Sequence, residues 1–145
     1  MTLSAQGDAI AQQLNLVLVP QARMERYVAS APVVCCEGCG ILTWWPGAMT
    51  PENEDDFTCP GRLLARLHFR LTVCWPTPDE QGNFPQAEAD AIAAQLMDEL
   101  AAMSKKIIEM QCTAEWRGLR LVDSFTQPPQ GGCATARLEV EIVVS

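Results

Sequence analysis

The side chains of this chain that are most able to do chemistry are its cysteines. There are seven in 145 residues, an odd number that a complete set of internal disulfides cannot use. Cys36 and Cys39 form a C-x-x-C pair, which is a common half-site for tetrahedral zinc. With Cys74 and Cys133 this pair would supply four thiolates, provided that the fold brings them together. Zinc ligation, disulfides and free thiols all stay open at this point, and zinc is the one cofactor that the sequence suggests.

Two other function classes would use the same cysteines. A thiol-redox enzyme would use Cys36 and Cys39 as its dithiol, but redox sites of this type place the C-x-x-C at a helix N-terminus, which lowers the pKa of the first thiol. Here Gly40 and a strand-like segment follow the pair, so this activation is missing. A zinc-ribbon module would need a second pair, and the sequence contains only one C-x-x-C. Both classes are therefore less favoured than the one developed below.

The chain has a single histidine, His68, so any Ser-His or Cys-His catalytic pair would have to include it. It lies between Arg66 and Arg70 in a strand-like segment, and no sequence neighbour resembles a nucleophile. We therefore predict a structural or interface role for His68 and no enzymatic activity.

A sheet has to position these residues, and its clearest strand spans residues 62–75. The odd positions from Leu63 to Trp75 are apolar, whereas the even positions from Arg66 to Cys74 are mostly polar. Strict alternation is typical of a strand with one face on a core and the other toward water or a partner. The segment is longer than the usual strand of ~5–6 residues. We predict that it is the central strand of the fold.

Two helices flank this strand in the sequence. The first is expected to begin at a Ser4 cap and to end before Pro20. The second is expected to begin at Asn83, with Gln86 completing a capping box, and to end near Ile107.

Shorter strands complete the predicted fold. One begins at Ile41 and is stopped by Pro46, and another begins at Leu119; the turn PPQGG joins it to the alternating final strand. Residues 23–34 are ambiguous and suggest an extended edge segment. The predicted fold class is α+β, one domain over residues 1–145, with a small mixed, mostly antiparallel sheet of about four strands and two helices packed on one face.

The predicted strand directions divide the cysteines between the two ends of the sheet. Antiparallel pairing of sequential strands and the strand–helix–strand crossover determine these directions. One end receives Cys35, Cys36, Cys39, Cys74 and Cys133. The other end receives Cys59 and Cys112, which form a candidate disulfide.

The acidic balance of the chain limits its partners. The net charge is −8 and the pI is about 4.5, which argues against a protein that grips nucleic acid, because such affinity comes from basic residues. An acidic net charge is compatible with a protein that lets DNA slide past without binding it. No apolar run approaches the ~18–20 residues that span a bilayer, so no membrane partner is expected.

Charged side chains on two of the predicted strands form a candidate interface. They alternate with the apolar residues of the central and the last strand, so they share one face of each strand. These residues are Arg66, His68 and Arg70 on the central strand and Arg137, Glu139 and Glu141 on the last strand.

Two arrangements of these charges stay open. If the strands are neighbours, the charges pair within one protomer. If the strands lie at opposite sides, they offer complementary patches for a head-to-tail contact, which can close a ring. We expect Arg66→Glu together with Arg70→Glu to leave the monomer folded but to impair ring formation or attachment of the ring to its partner. The apolar rim of the interface is expected to come from Trp44, Trp45 and Met49.

Several segments together resemble the tail terminator proteins of siphophages that infect actinobacteria. They are the run CCEGCG-ILTWW, the TCP before a long strand ending VCWPTPDEQG, a helix ending IIEMQC, and the final PPQGGCATARLEVEIVV. The likeness covers nearly the whole chain from about Val34, together with the N-terminal helix. It depends on cysteine placement and element order, not on a catalytic motif.

The resemblance implies a small α/β protomer that assembles with itself into a homohexameric ring. Such a ring caps the tail tube, ends polymerisation of the major tail tube protein, and joins the tube to head-completion or stopper proteins. Genomic DNA passes through its lumen without specific binding. The chain would be a structural protein of the virion neck, made in the host cytoplasm. Other head–tail connector proteins share this size and character, so a stopper or head-completion role is the alternative.

Overall fold

The computed structural model describes residues 1–33, 40–52 and 61–144. Its elements are α1 (Leu3–Asn15), β1 (Arg23–Arg26), β2 (Ile41–Pro51), β3 (Leu63–Cys74), α2 (Gln86–Gln111), β4 (Arg120–Gln130) and β5 (Cys133–Val144). Both helices pack on one face of a mixed, mostly antiparallel sheet. The predicted α+β class is confirmed.

The sheet has the strand order β1-β2-β3-β5-β4. β1 is parallel to β2, and every other neighbouring pair is antiparallel. β3 lies at the centre, as its alternation predicts. There are five strands rather than about four, because Arg23–Arg26 adds a short edge strand. The sequence did not identify this strand clearly, since it is brief and mostly exposed and so shows no alternation.

The hydrophobic core lies between the helices and one face of the sheet, which we call the helix face. The odd residues of β3 and the even residues of β5 point to this face. Leu67, Phe69 and Leu71 of β3 are at most 2% exposed. Met103 and Ile107 of α2 belong to the same buried cluster, in line with the apolar stripe of that helix.

The helix caps differ from those predicted. Thr2, not Ser4, caps α1, because its Oγ1 accepts a hydrogen bond of 3.2 Å from the backbone N–H of Ala5. The first turn of α2 has no side-chain cap. Asn83 lies in the preceding turn, where Asp79 Oδ1 accepts from its backbone N–H at 2.8 Å. The predicted capping box is therefore absent.

Two strands continue through prolines that the sequence suggested as breaks. β2 runs past Pro46 to Pro51 because β1 pairs only as far as Trp44. No described strand lies beside Pro46 on that side to require its missing N–H. A β-bulge follows between Pro46 and Met49. β4 likewise runs through two prolines at the sheet edge.

The turn between β4 and β5 is shorter than the predicted PPQGG. It consists of Gly131 and Gly132, with φ of 58° and 76°. Positive φ at both central residues is the requirement of a type I′ hairpin turn, and glycine meets it without steric strain.

α1 packs tightly against β2 at Gly7. Gly7 lies directly under the indole of Trp44, so that a Cβ on Gly7 would overlap the ring. Trp44 Nε1 donates to Asp8 Oδ1 at 2.9 Å, and Arg26 Nη1 donates to Asp8 Oδ2 at 2.8 Å. These contacts join α1 to both β2 and β1.

The contact predicts that Gly7→Ala destabilises the protein, although alanine is the better helix former by about 1 kcal/mol. The methyl group would have to displace a buried indole, and overpacking of this kind costs about 1–3 kcal/mol. Gly61→Ala is the matched control, because nothing lies within 4 Å of a Cβ at Gly61. The free energy of unfolding in urea should fall for the first variant and stay within about 0.5 kcal/mol for the second. Equal stability of the two variants would contradict the packing.

Candidate functional site on the polar face of the sheet

The candidate interface residues lie on the sheet face opposite the helices, which we call the polar face. Alternation directs the even residues of β3 and the odd residues of β5 to this side. The register places Trp45 opposite His68, and Arg70 opposite Arg137. It also places Glu139 opposite His68. The structure therefore brings together the charged residues that the sequence singled out.

β3 and β5 are neighbours, so the charges pair within one protomer. Arg66 Nη1 lies 3.2 Å from Glu139 Oε1, and Arg66 Nε lies 3.9 Å from Glu141 Oε2. Arg120 of β4 also contacts Glu141, at 3.2 Å. Exposed pairs of this kind contribute ~0–1 kcal/mol each. The alternative, in which the two strands form patches at opposite sides of the protomer, is wrong.

The predicted apolar rim is largely core. Trp44 is 3% exposed on the helix face, and Trp45 is 4% exposed on the polar face. Alternation sends these consecutive residues to opposite faces, and both faces are covered at this point. Met49, which follows the bulge, is 47% exposed. Of the three residues, only Met49 presents substantial apolar surface to a partner.

Trp45 is the centre of a cluster on the polar face. Its ring stacks on His68 with centroids 5.5 Å apart and an interplanar angle of 17°. The guanidinium carbons of Arg70 and Arg137 lie 5.1 Å and 5.2 Å from the Trp45 ring. Each contact is a cation–π interaction, which strengthens as the groups are desolvated. One indole thus supports two cations that face each other across neighbouring strands.

Arg70 is not the partner-facing residue that the sequence suggested, because it is only 4% exposed. Its Nη2 donates to the carbonyls of Ala31 and Pro32 at 2.7 Å and 2.9 Å. These bonds hold the segment after β1 against the polar face. Burial, followed by the charge of Arg137, lowers the pKa of Arg70. Its Nε has no hydrogen-bond partner in the part of the chain that the structure describes.

Arg137 is the partly exposed member of the arginine pair. Its Nη2 lies 3.3 Å from His68 Nδ1, and its guanidinium lies 5.7 Å from the Phe125 ring centroid. Among the described residues it forms no ion pair with a carboxylate. Like charges directly opposite each other in a sheet are destabilising, so Arg70 and Arg137 form an electrostatically unfavourable pair that the sequence did not reveal.

His68 is held by contacts on several sides of its ring. It stacks on Trp45, and Arg137 approaches Nδ1. A Cβ on Gly47 would lie 2.6 Å from His68 Nε2, so only glycine leaves room for the imidazole here. Burial, the largest cause, lowers the pKa of His68; the charges of Arg137 and Arg66 lower it further, and Glu139 opposes them. These contacts favour a neutral histidine with a structural role.

The structure places the described cysteines at the predicted ends of the sheet. Cys74 and Cys133 are directly opposite each other at one end of β3 and β5. Cys133 takes part in a disulfide, so in this structure its sulfur is not a thiolate that could ligate zinc. Cys36 and Cys39, the other members of the predicted set, lie outside the described residues. No group of three or more His, Cys, Asp or Glu side chains suited to a metal ion occurs within the described ranges.

The predicted disulfide at the other end is not formed. Cys112 follows the C-terminus of α2 as a free, exposed cysteine. Its Sγ lies 3.7 Å from the carbonyl oxygen of Ile108, one helical turn earlier. Cys59, the predicted partner, lies outside the described residues.

A cavity of about 310 Å³ between α2 and the end of β3 was not predicted. Leu71 and Leu96 contribute to its apolar wall, and Glu99 lies at its border. Burial raises the pKa of Glu99, and Gln95 donates a hydrogen bond to its carboxylate at 3.0 Å. The apolar stripe of α2 predicted which of its residues face the core. It did not predict the cavity between those residues and β3.

No family model matches the chain, and no similar sequence is found among curated proteins. None of the helices in the described ranges is long and apolar enough to cross a membrane.

The burial of Arg70 predicts a large difference between two arginines of the same strand. Arg70→Ala leaves two backbone carbonyls without their donor and removes a cation from Trp45, and losses of this kind cost about 2–4 kcal/mol. Arg66→Ala removes an exposed ion pair and should cost at most about 1 kcal/mol. Urea unfolding followed by tryptophan fluorescence measures both. Replacing Arg70 with glutamate is therefore expected to impair folding itself, whereas replacing Arg66 with glutamate should leave the chain folded. Similar losses for the two alanine variants would contradict this assignment.

The lowered pKa of His68 predicts a dependence of stability on pH. Because the folded state holds the proton less tightly than the unfolded state, whose histidine pKa is about 6.5, His68 favours folding above that pH. This contribution is lost as the pH falls below about 6.5 toward the folded-state pKa. The free energy of unfolding should therefore decrease between pH 7 and pH 5.5. The decrease should be smaller in His68→Gln, which cannot titrate. An identical slope in both proteins would show that other groups cause it.

Proposed function

We propose that this chain is a structural virion protein of a tailed phage, a tail terminator that assembles as a closed ring. The ring would cap the tail tube, end polymerisation of the major tail tube protein, and join the tube to a head-completion or stopper protein. The proposal begins from the likeness of its cysteine placement and element order to siphophage tail terminators. The α+β fold, with both helices on one face of the sheet, agrees with the small protomer that this likeness implies.

The observation that carries the proposal is the chemical difference between the two sides of the protomer. The helix layer exposes apolar side chains, among them Leu16 and Met97, which are 62% and 57% exposed. The other side of the sheet carries the arginine-rich polar face. A head-to-tail contact needs two unlike surfaces on one protomer, and it closes into a ring when its rotation permits.

The only histidine supports a structural role over a catalytic one. His68 is stacked on Trp45 and approached by Arg137, and Gly47 packs against its Nε2 edge. A general base must have a ring nitrogen within reach of the group whose proton it removes. Arg137 approaches Nδ1, and the ring lies against Trp45 and close to Gly47, so the imidazole is part of the packing of the fold. We therefore propose that the chain has no enzymatic activity of its own.

The charge of the chain suits a conduit for DNA. A net charge of −8 would repel phosphates, so that DNA could pass through a lumen without specific binding. The proposed location is the neck of the virion.

The proposal is tested by assembly of the purified chain with the major tail tube protein of the same phage. Native mass spectrometry and negative-stain electron microscopy should detect closed rings. Substoichiometric amounts of these rings should stop tube growth at one end. A matched preparation of Gly7→Ala, which weakens the fold, controls for effects of misfolded protein. A chain that stays monomeric and leaves tube growth unchanged would contradict the proposal. Rings that bind a head-completion protein but not the tube would identify a different head–tail connector.

A further inference from the structure

An acidic and apolar patch lies on the outer surface of the helix layer. We define this helix-layer patch as Val19 and Asp98. Val19 is 79% exposed. Gln95 Nε2 donates to the carbonyl of Val19 at 3.3 Å, which ties the segment after α1 to α2. Val19 and Asp98 line the same shallow groove. Asp98 is exposed and forms no ion pair with any described residue.

A basic and apolar patch lies on the polar face. We define this sheet patch as Arg137 and Phe125. Phe125 is 37% exposed, and the Arg137 guanidinium lies 5.7 Å from its ring centroid. Arg137 faces Arg70 across β3 and β5 and has no carboxylate partner among the described residues. The patch thus presents an uncompensated cation beside an exposed aromatic ring, on a chain whose net charge is −8.

The two patches lie on opposite sides of the protomer. Alternation along β5 sends Ala136 and Leu138 to the helix face and Arg137 to the polar face. Met97 and Asp98 point away from the core on α2, which packs on the helix face. A contact between the two patches therefore uses different surfaces of the two copies. Such a contact is heterologous and leaves one patch free on each end of a dimer.

We propose that the helix-layer patch of one copy docks on the sheet patch of the next copy. Asp98 supplies the carboxylate that Arg137 lacks among the described residues, and Val19 covers Phe125. This inference rests on the proposed ring and names the contact that would build it. The occupant is a second copy because the two patches complement each other in charge and in apolar character.

The setting of Arg137 explains why this position favours a carboxylate. Trp45, His68 and Phe125 already hold its guanidinium, so less side-chain freedom is lost on binding than for an arginine in solvent. An incoming carboxylate would also offset the repulsion between Arg137 and Arg70. Because the arginine is partly desolvated before contact, the ion pair is expected to contribute more than a fully exposed pair. The apolar residues around it would exclude water from the pair.

The test begins with two single charge reversals in the full chain, Arg137→Glu and Asp98→Lys. Each should raise the dissociation constant for self-association at least about tenfold, measured by sedimentation velocity. The matched controls are Arg117→Glu and Glu115→Lys, which make the same charge changes at exposed residues without ion pairs among the described residues. The controls should stay within about twofold of the unmodified chain. Circular dichroism checks that each variant is folded. If Arg137→Glu does not fold, Asp98→Lys still tests the contact, because Asp98 is exposed on a helix.

Mixing the two reversal variants gives the sharper result. Each variant alone brings like charges together at every contact. In an equimolar mixture, contacts between unlike chains join either the original pair or the fully reversed pair, and both attract. Assembly should therefore recover in the mixture. Self-association that neither reversal weakens, an unmodified chain that does not self-associate, or a mixture that does not recover would overturn the inference.

The outcomes separate this inference from the proposed function. If assembly recovers in the mixture but the assemblies do not stop tube growth, the contact is supported and the terminator role is contradicted. Rings that cap the tube normally in both reversal variants would leave the terminator role in place and contradict the contact.

Discussion

The structure depends on a central strand that is covered on both faces. β3 is paired along both edges, with β2 and β5, so it lies in the interior of the sheet. Its odd residues are buried under the helices, and at the level of Arg70 and Thr72 its even residues are buried as well. The charged residues on this strand consequently differ in environment. Arg66, toward one end, is exposed, whereas Arg70, four residues later, is core.

The burial of Arg70 sets the character of the polar face. A buried guanidinium needs acceptors, and it takes them from the carbonyls of Ala31 and Pro32. It also needs an electron-rich surface, which Trp45 supplies. The same ring also contacts the guanidinium of Arg137, so that two cations share one indole. Arg137 has no carboxylate partner among the described residues. The placement of His68, stacked on the same ring, follows from this arrangement and leaves it neutral and structural.

The two layers of the fold give the protomer unlike sides, and this difference is what connects the fold to the proposed ring. The helix layer presents Val19 and Asp98, and the polar face presents Arg137 and Phe125. Each patch alone is a modest surface feature. Their complementarity across opposite sides is the property that a repeating head-to-tail contact requires. The exposed ion pairs of Arg66 then contribute to register within the protomer rather than to the contact between copies.

Local patterns in the sequence determined the elements and the ends of the sheet. Periodicity predicted the α+β class and the central strand, through the alternation of β3 and β5 and the apolar stripe of α2. The crossover rule predicted that Cys74 and Cys133 share one end of the sheet. These features depend on periodicity and chain direction alone. The predicted helix caps were wrong because a cap depends on the conformation of the preceding turn, as at Asp79. The predicted strand breaks at prolines were wrong because a proline ends a strand only where a neighbouring strand needs its N–H, and no described strand does so at Pro46. Only the tertiary structure decided which polar side chains are buried. The strand pattern treats Arg66 and Arg70 alike. Their environments differ because a segment distant in sequence, at Ala31 and Pro32, covers one end of the polar face, and no local pattern records that contact.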